Sequence, residues 1–227
     1  MLVRAGSTEA AVDFSRLAGL VPAGVTCAVM NDDGDIARLS NLADFGRVHG
    51  LRIGAIADLI AHRRRTERQV DRVLETPFES VYGGRFRMVI YRNILDRTEH
   101  VALVHGEIDA EQPTLVRMHQ VDMVADMLGH VAARQDLLPR ALSAISAYPG
   151  AGVAVFLRNS DPGHLSQKCV HPGQRAPDAI LRDYGIGAQI LLDLGVRDII
   201  LLTTQDARPR LPGFEGYGLR NVDWRRL

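Results

Sequence analysis

The sequence predicts an α/β chain with α+β elements, built in two parts. Three features point to this: short apolar-alternating runs of strand length, longer helical runs interleaved with them, and a stretch broken by proline and paired glycines, TPFESVYGGR at 76–85. Mixed order of this kind implies layered helices and sheet rather than a bundle or a sandwich. The division predicted is an N-terminal part over 1–70, a linker over 71–84 and a C-terminal part over 85–227.

In chain order, residues 8–17 have helical composition, with Ser7 or Thr8 as N-cap and Gly19 and Pro22 closing the helix. GVTCAVM (24–30) and IARL (36–39) flank the turn formers NDDGD, which predicts a hairpin. Asn41 caps a short helix ending near Gly50, and 53–74 reads as a helix whose later part is basic. FRMVIYRN, HVALVHGEI and TLVRMHQ alternate as strands with one buried face. Helices are expected at 122–128 and 137–148, then strand GVAVFLRN, helix RDYGIGAQILLDLG and strand DIILLTT.

Composition narrows the class. The chain has 227 residues, 46% hydrophobic and 24% charged, and no apolar run approaches the roughly 18 needed to span a bilayer. The start MLVRAGSTEA lacks the apolar stretch of a secretory leader, so a cytoplasmic location is expected. Cys27 and Cys169 are the only cysteines, which excludes a disulfide framework. Lys plus Arg balances Asp plus Glu at 27 each, leaving no global field for nucleic acid or a membrane surface. Arg63, Arg64, Arg65, Arg68 and Arg72 form the one dense basic run. Without interleaved aromatics for base stacking it reads as a solvated helix face.

The text from Leu2 to Glu67, RAGSTEAAVDFSRLAGL followed by CAVMNDDG and HGLRIGAIADLIAHRRRTE, resembles the closing part of 3,4-dihydroxy-2-butanone 4-phosphate synthase. From about Arg85 the text resembles GTP cyclohydrolase II, in FRMVIYRN, DRTEHVALVHGEI, TLVRMH, RDYGIGAQILLDLGV, LLTT and GFEGYGL. The resemblance implies a truncated synthase tail joined to a mixed-sheet cyclohydrolase-like domain, as in bifunctional riboflavin-biosynthesis proteins. It also implies that most of a synthase, with the acidic motif of its other metal ligand, precedes Met1, and that the protein is a homodimer.

The same resemblance marks losses. The histidine of the synthase's RAGHTEA, which holds a magnesium-type cation, is Ser7 here, and the catalytic glutamate of CEIM is Ala28. A methyl group accepts no proton. Arg4 and Thr8 match residues that contact the sugar phosphate, with helix capping as their bland alternative. The cyclohydrolase takes zinc from the thiolates of SECLTGD and CDC. The first thiolate position falls on Asp122, and ARQDLL, near 133–135, has no cysteine.

The resemblance further carries Arg182 onto the family's nucleophilic arginine, with Ile180 where its aspartate belongs, and Arg117, Thr203 and Arg208 onto substrate contacts. Asp183, Tyr184 and Gly185 are read as helix-start and packing residues. These vestiges predict no metal and no cofactor. They leave residual nucleotide or sugar-phosphate binding, with neither nucleic acid nor membrane as partner. His164, Cys169 and His171 lie together in HLSQKCVH, and His119 and His130 flank Asp122 and Asp126. Either group could be a metal site or an ordinary solvent-facing stretch. Trp224 reads as a packing anchor. The leading expectation is a catalytically inactive family member. The alternatives are part of a working riboflavin enzyme, or a nucleotide sensor using Arg182 and Thr203.

Overall fold

A computed structural model describes residues 6–31, 33–130, 136–159, 163, 165–166, 169, 177–205 and 214–227; the side chains of 39, 64, 65, 177–182, 215 and 216 are not described. The chain forms two compact units, 1–67 and 68–227.

The first unit contains helices α1 (Ser7–Leu17), α2 (Leu39–Val48) and α3 (Ile56–Thr66). α1 begins at Gly6, not at a capping Ser7 or Thr8, and no side chain caps it. It ends where Gly19, at φ 74°, lets the Leu20 N–H turn back to Ser15 O at 2.9 Å. Its apolar contact is small: Ala10 and Leu59 pack together with Ile56 and Ile60 beside them. An ionic link reinforces it. Arg63 of α3, with 11% of its side chain exposed, donates to Asp13 Oδ2 of α1 at 2.6 Å and to both Glu67 oxygens at 2.5 Å. The basic run is therefore not one solvated helix face. α3 stops at Thr66, and Arg68 and Arg72 belong to the next unit.

The hairpin expected at 24–39 reduces to one antiparallel bridge, Met30 with Ile36. A two-stranded ribbon needs a covered apolar face, and here Val25, Met30 and Ile36 stand in solvent.

The second unit is a seven-stranded sheet in the order β1-β2-β3-β5-β4-β6-β7. Its strands are β1 (Val70–Ser80), β2 (Gly84–Asn93), β3 (Glu99–His105), β4 (Thr114–Gln120), β5 (Gly152–Leu157), β6 (Asp198–Thr203) and β7 (Arg220–Arg226). Pairs from β1 through β3 to β5 are antiparallel, and β4 pairs in parallel with β5 and β6, as β6 does with β7. The stretch 71–84 assigned to a linker is thus most of β1 and its turn into β2. Pro77 does not exclude it, because an edge strand tolerates a residue that cannot donate to the ladder.

Alternation in the strands serves two cores. Val89, Tyr91, Val116, Val153, Ile199 and Leu201 face one side, covered by α5 (Pro177–Asp193) through Ile186, Ile190 and Leu191. Phe86, Leu103, Leu115, Ala154 and Ile200 face the other, covered by α4 (Leu137–Ser146) through Ala141, Leu142 and Ile145. α4 carries the chain from β4 to β5, whereas α5 carries it back across β4 to β6. Right-handed crossovers running in opposite directions place their helices on opposite faces. Trp224 packs against the α5-side core, as an anchor should. The helix expected at 122–128 is a single π-type turn, Met123–Met127.

Candidate functional site

The crossover direction reverses at β4, and the carboxyl ends of the parallel strands at such a switch point are where open α/β sheets bind ligands. Alternation along β4 divides its polar residues between the two faces. Arg117 and His119 share the face of Leu115, and Gln120 lies on the α5 side, where its Nε2 donates to Asp183 Oδ2 at 3.3 Å. Sequence reading gave Asp183 only a helix-start role. The contact joins residues 63 apart, so no local spacing announces it.

Arg117 Nη1 donates to Leu202 O at 3.1 Å, beside Thr203 on β6. Its Nε is buried with no hydrogen-bond partner among the described residues. Burial lowers the guanidinium's pKa from its usual very high value, and the Asp126 carboxylate acts against that shift. Thr203 is buried: its Oγ1 accepts from Gln205 N at 3.2 Å and its carbonyl from Leu227 N at 2.8 Å. Of the substrate residues carried over from the resemblance, Arg117 and Thr203 lie on the neighbouring strands β4 and β6, but alternation puts Arg117 on the α4 side and Thr203 on the α5 side of the sheet. Thr8 is exposed on α1 in the first unit. Arg4 and Arg208 lie outside the described residues. So does the side chain of Arg182, whose backbone runs in α5.

Beyond β4 the chain turns on itself. His119 Nε2 lies 2.8 Å from Asp126 Oδ2, with 6% and 8% of the two side chains exposed. An ionised carboxylate only accepts, so the ring presents Nε2–H to it. The same oxygen accepts the Asp122 N–H at 2.8 Å. Asp122 Oδ1 in turn accepts from Val124 N and Ala125 N at 3.1 and 3.3 Å, capping the turn. His130 N donates to Val124 O at 3.2 Å. His119 and Asp126, weighed above as metal ligands, face each other instead. Among the described residues no group of three His, Cys, Asp or Glu is placed to hold a metal ion. His164, His171 and the stretch 131–135 lie outside those residues, and Cys169 is exposed. No described helix is long and apolar enough to cross a membrane.

The profile of GTP cyclohydrolase II matches residues 71–225, and that of 3,4-dihydroxy-2-butanone 4-phosphate synthase matches residues 1–62. A riboflavin biosynthesis protein RibBA of Synechocystis sp. is 41% identical over 98% of this chain and 42% of its own length. A protein of Pseudomonas aeruginosa named 3,4-dihydroxy-2-butanone 4-phosphate synthase is 40% identical over 98% of this chain and 61% of its own. The crystal structure of RibBX from A. baumannii, described as a two domain 3,4-dihydroxy-2-butanone 4-phosphate synthase, is similar with a TM-score of 0.65 and 34% identity. It covers 99% of this chain and 60% of RibBX. The chain spans about half the length of the curated relatives it matches. It belongs to the GTP cyclohydrolase II family over 71–225, preceded by a 3,4-dihydroxy-2-butanone 4-phosphate synthase segment, the combination of the riboflavin-biosynthesis proteins.

Proposed function

We propose that the cyclohydrolase-like unit of this riboflavin-biosynthesis family protein does not turn over GTP and acts as a structural, dimerising or regulatory module. The observation that carries the reading is the commitment of Asp122. Standing where the family's first zinc thiolate belongs, its carboxylate is occupied with the N–H groups of Val124 and Ala125.

The residues present do not fit a zinc ion held by three thiolates. The chain has two cysteines, of which Cys27 belongs to the first unit and Cys169 is exposed. One capping aspartate supplies neither the charge nor the softness of the missing donors. Ser7 and Ala28 likewise offer no imidazole for a magnesium-type cation and no carboxylate to move a proton. The relatives that match nearly the whole of this chain carry both kinds of name. RibBA of Synechocystis sp. is one of them, and the P. aeruginosa protein and RibBX are both named for the synthase. Residual nucleotide or sugar-phosphate binding in a homodimer belongs to the same reading, with Arg117, a guanidinium suited to phosphate, as its contact on β4.

The second reading makes the chain part of a working riboflavin enzyme, its synthase activity residing in residues ahead of Met1. It is favoured by the share of the relatives' length that this chain spans, 42–61%. Formate release from GTP and zinc content, measured on the purified chain, test the first reading. No formate and no zinc are expected, and GTP-dependent formate release with stoichiometric zinc overturns it. Dihydroxybutanone phosphate made by a longer protein carrying this sequence, and not by the chain alone, would support the second.

A further inference from the structure

A zinc ion bound by thiolates fastens the segments that carry its ligands, so without those thiolates the first such segment, the turn after β4, depends on its own groups to stay in place. We propose that Asp126, His119 and Asp122 form a hydrogen-bonded clasp that takes the metal's place as the fastener of the turn after β4. This rests on the reading above that no zinc is held here.

The clasp is built around a single oxygen. Asp126 Oδ2 receives the ring N–H of His119 and the backbone N–H of Asp122, each at 2.8 Å, drawing residue 126 back onto the end of β4. Asp122 Oδ1 then receives two N–H groups that the start of a helical turn leaves without partners. Its own carbonyl accepts from Asp126 N at 2.6 Å. The anchor side is fixed too. His119 sits edge-on to Phe156 at 6.0 Å, and Val121 N donates to Leu157 O at 2.9 Å, so the β4 end of the clasp is tied to β5.

With 6% and 8% of the two side chains exposed, water competes little for these bonds, and hydrogen bonds to a charged group in such a setting are among the stronger ones. The apolar side chains of the turn contribute less, since Met123, Met127 and Leu128 are exposed. The turn is therefore held chiefly through its polar groups. Asp122 changes from a thiolate's position to a cap, and His119 from a candidate ligand to a donor.

The test is native-state hydrogen exchange of the full chain over residues 119–130, with EDTA and with added zinc, in the wild type and in Asp126→Ala. Wild-type protection is expected to be the same with chelator and with zinc. Asp126→Ala should speed exchange there by about 10–100-fold while β2 and β3 keep their protection. Should Asp126→Ala not fold, His119→Gln and His119→Leu carry the test. Glutamine keeps an N–H donor and should preserve most of the protection, which leucine should lose. A zinc-free protein whose variants exchange like the wild type overturns the clasp alone. Stoichiometric zinc that slows exchange overturns both the clasp and the loss of the metal site.

Discussion

In residues 68–227 the central strands are covered on both faces, and Val89, Tyr91, Val116, Ile145 and Ile190 are completely buried. Among the described residues of 6–67, the buried apolar side chains are Ala10, Ala37 and Leu59, while Leu20, Val21, Val25, Val48 and Leu51 stand more than half exposed. The resemblance of the first unit to its family is long and specific, yet its own packing is thin. Similarity of text therefore reports descent, and it does not report that a segment can bury its own apolar surface. The second unit shows the converse: its described residues form two buried cores, while the function proposed above has its family's metal donors replaced.

The largest effect expected from this contrast is in stability. Ile190→Ala removes a fully buried side chain between α5 and the sheet, at a cost of about 2–5 kcal/mol. The main thermal transition should fall by about 5–15 °C in calorimetry. Leu59→Ala, in the first unit, should leave that transition in place. Equal shifts from the two variants would mean that the units do not differ as described.

A second prediction concerns Asp193, which ties the end of α5 to β1 and β2. Its Oδ2 accepts from Tyr91 Oη at 2.7 Å and from Arg72 Nη2 at 2.9 Å. Burial opposes its charge, but the Tyr91 hydroxyl and the Arg72 guanidinium outweigh burial and hold the carboxyl below its usual range. Because the folded carboxyl binds its proton more weakly than the unfolded one, its contribution is complete above the unfolded pKa of about 4. It disappears as pH falls through the lower folded value. Asp193→Asn should therefore destabilise the second unit at pH 7 and flatten the loss of stability below about pH 4. Melts across that range check it, and an unchanged acid limb would remove Asp193 from the account. Tyr91 is shifted the other way, since burial and the neighbouring carboxylate push its phenol well above the usual value.

The smallest effect is at the hairpin tip. A Cβ on Gly83 would lie 2.9 Å from Leu142 O, a backbone atom that cannot swing aside. Gly83→Ala should cost about 1–2 kcal/mol by displacing the tip from α4. A melt matching the wild type would show that the tip has room to move.

Much of this fold was legible because its elements carry strong local signals. β2, β4, β6 and α4 alternate or repeat with the right period, and each lies within a few residues of its expected place. β1 was not legible, because VDRVLETPFES is polar, contains proline and is exposed along most of an edge. β7, RNVDWRR, failed for the same reason. At the candidate site the resemblance in the sequence proposes Arg117, Thr203 and a replaced thiolate at Asp122. It could not show that His119 and Asp126 face each other, because the two are joined by a strand end and a π-type turn with no regular spacing.

We propose that residues 71–225 keep the family's sheet without its chemistry. Formate release on incubating the purified chain with GTP, alongside the zinc content of the same sample, tests it most directly. A folded protein with neither formate nor stoichiometric zinc is expected. Formate released in proportion to bound zinc would contradict it, and would mean that an unrecognised set of donors assembles a working metal centre.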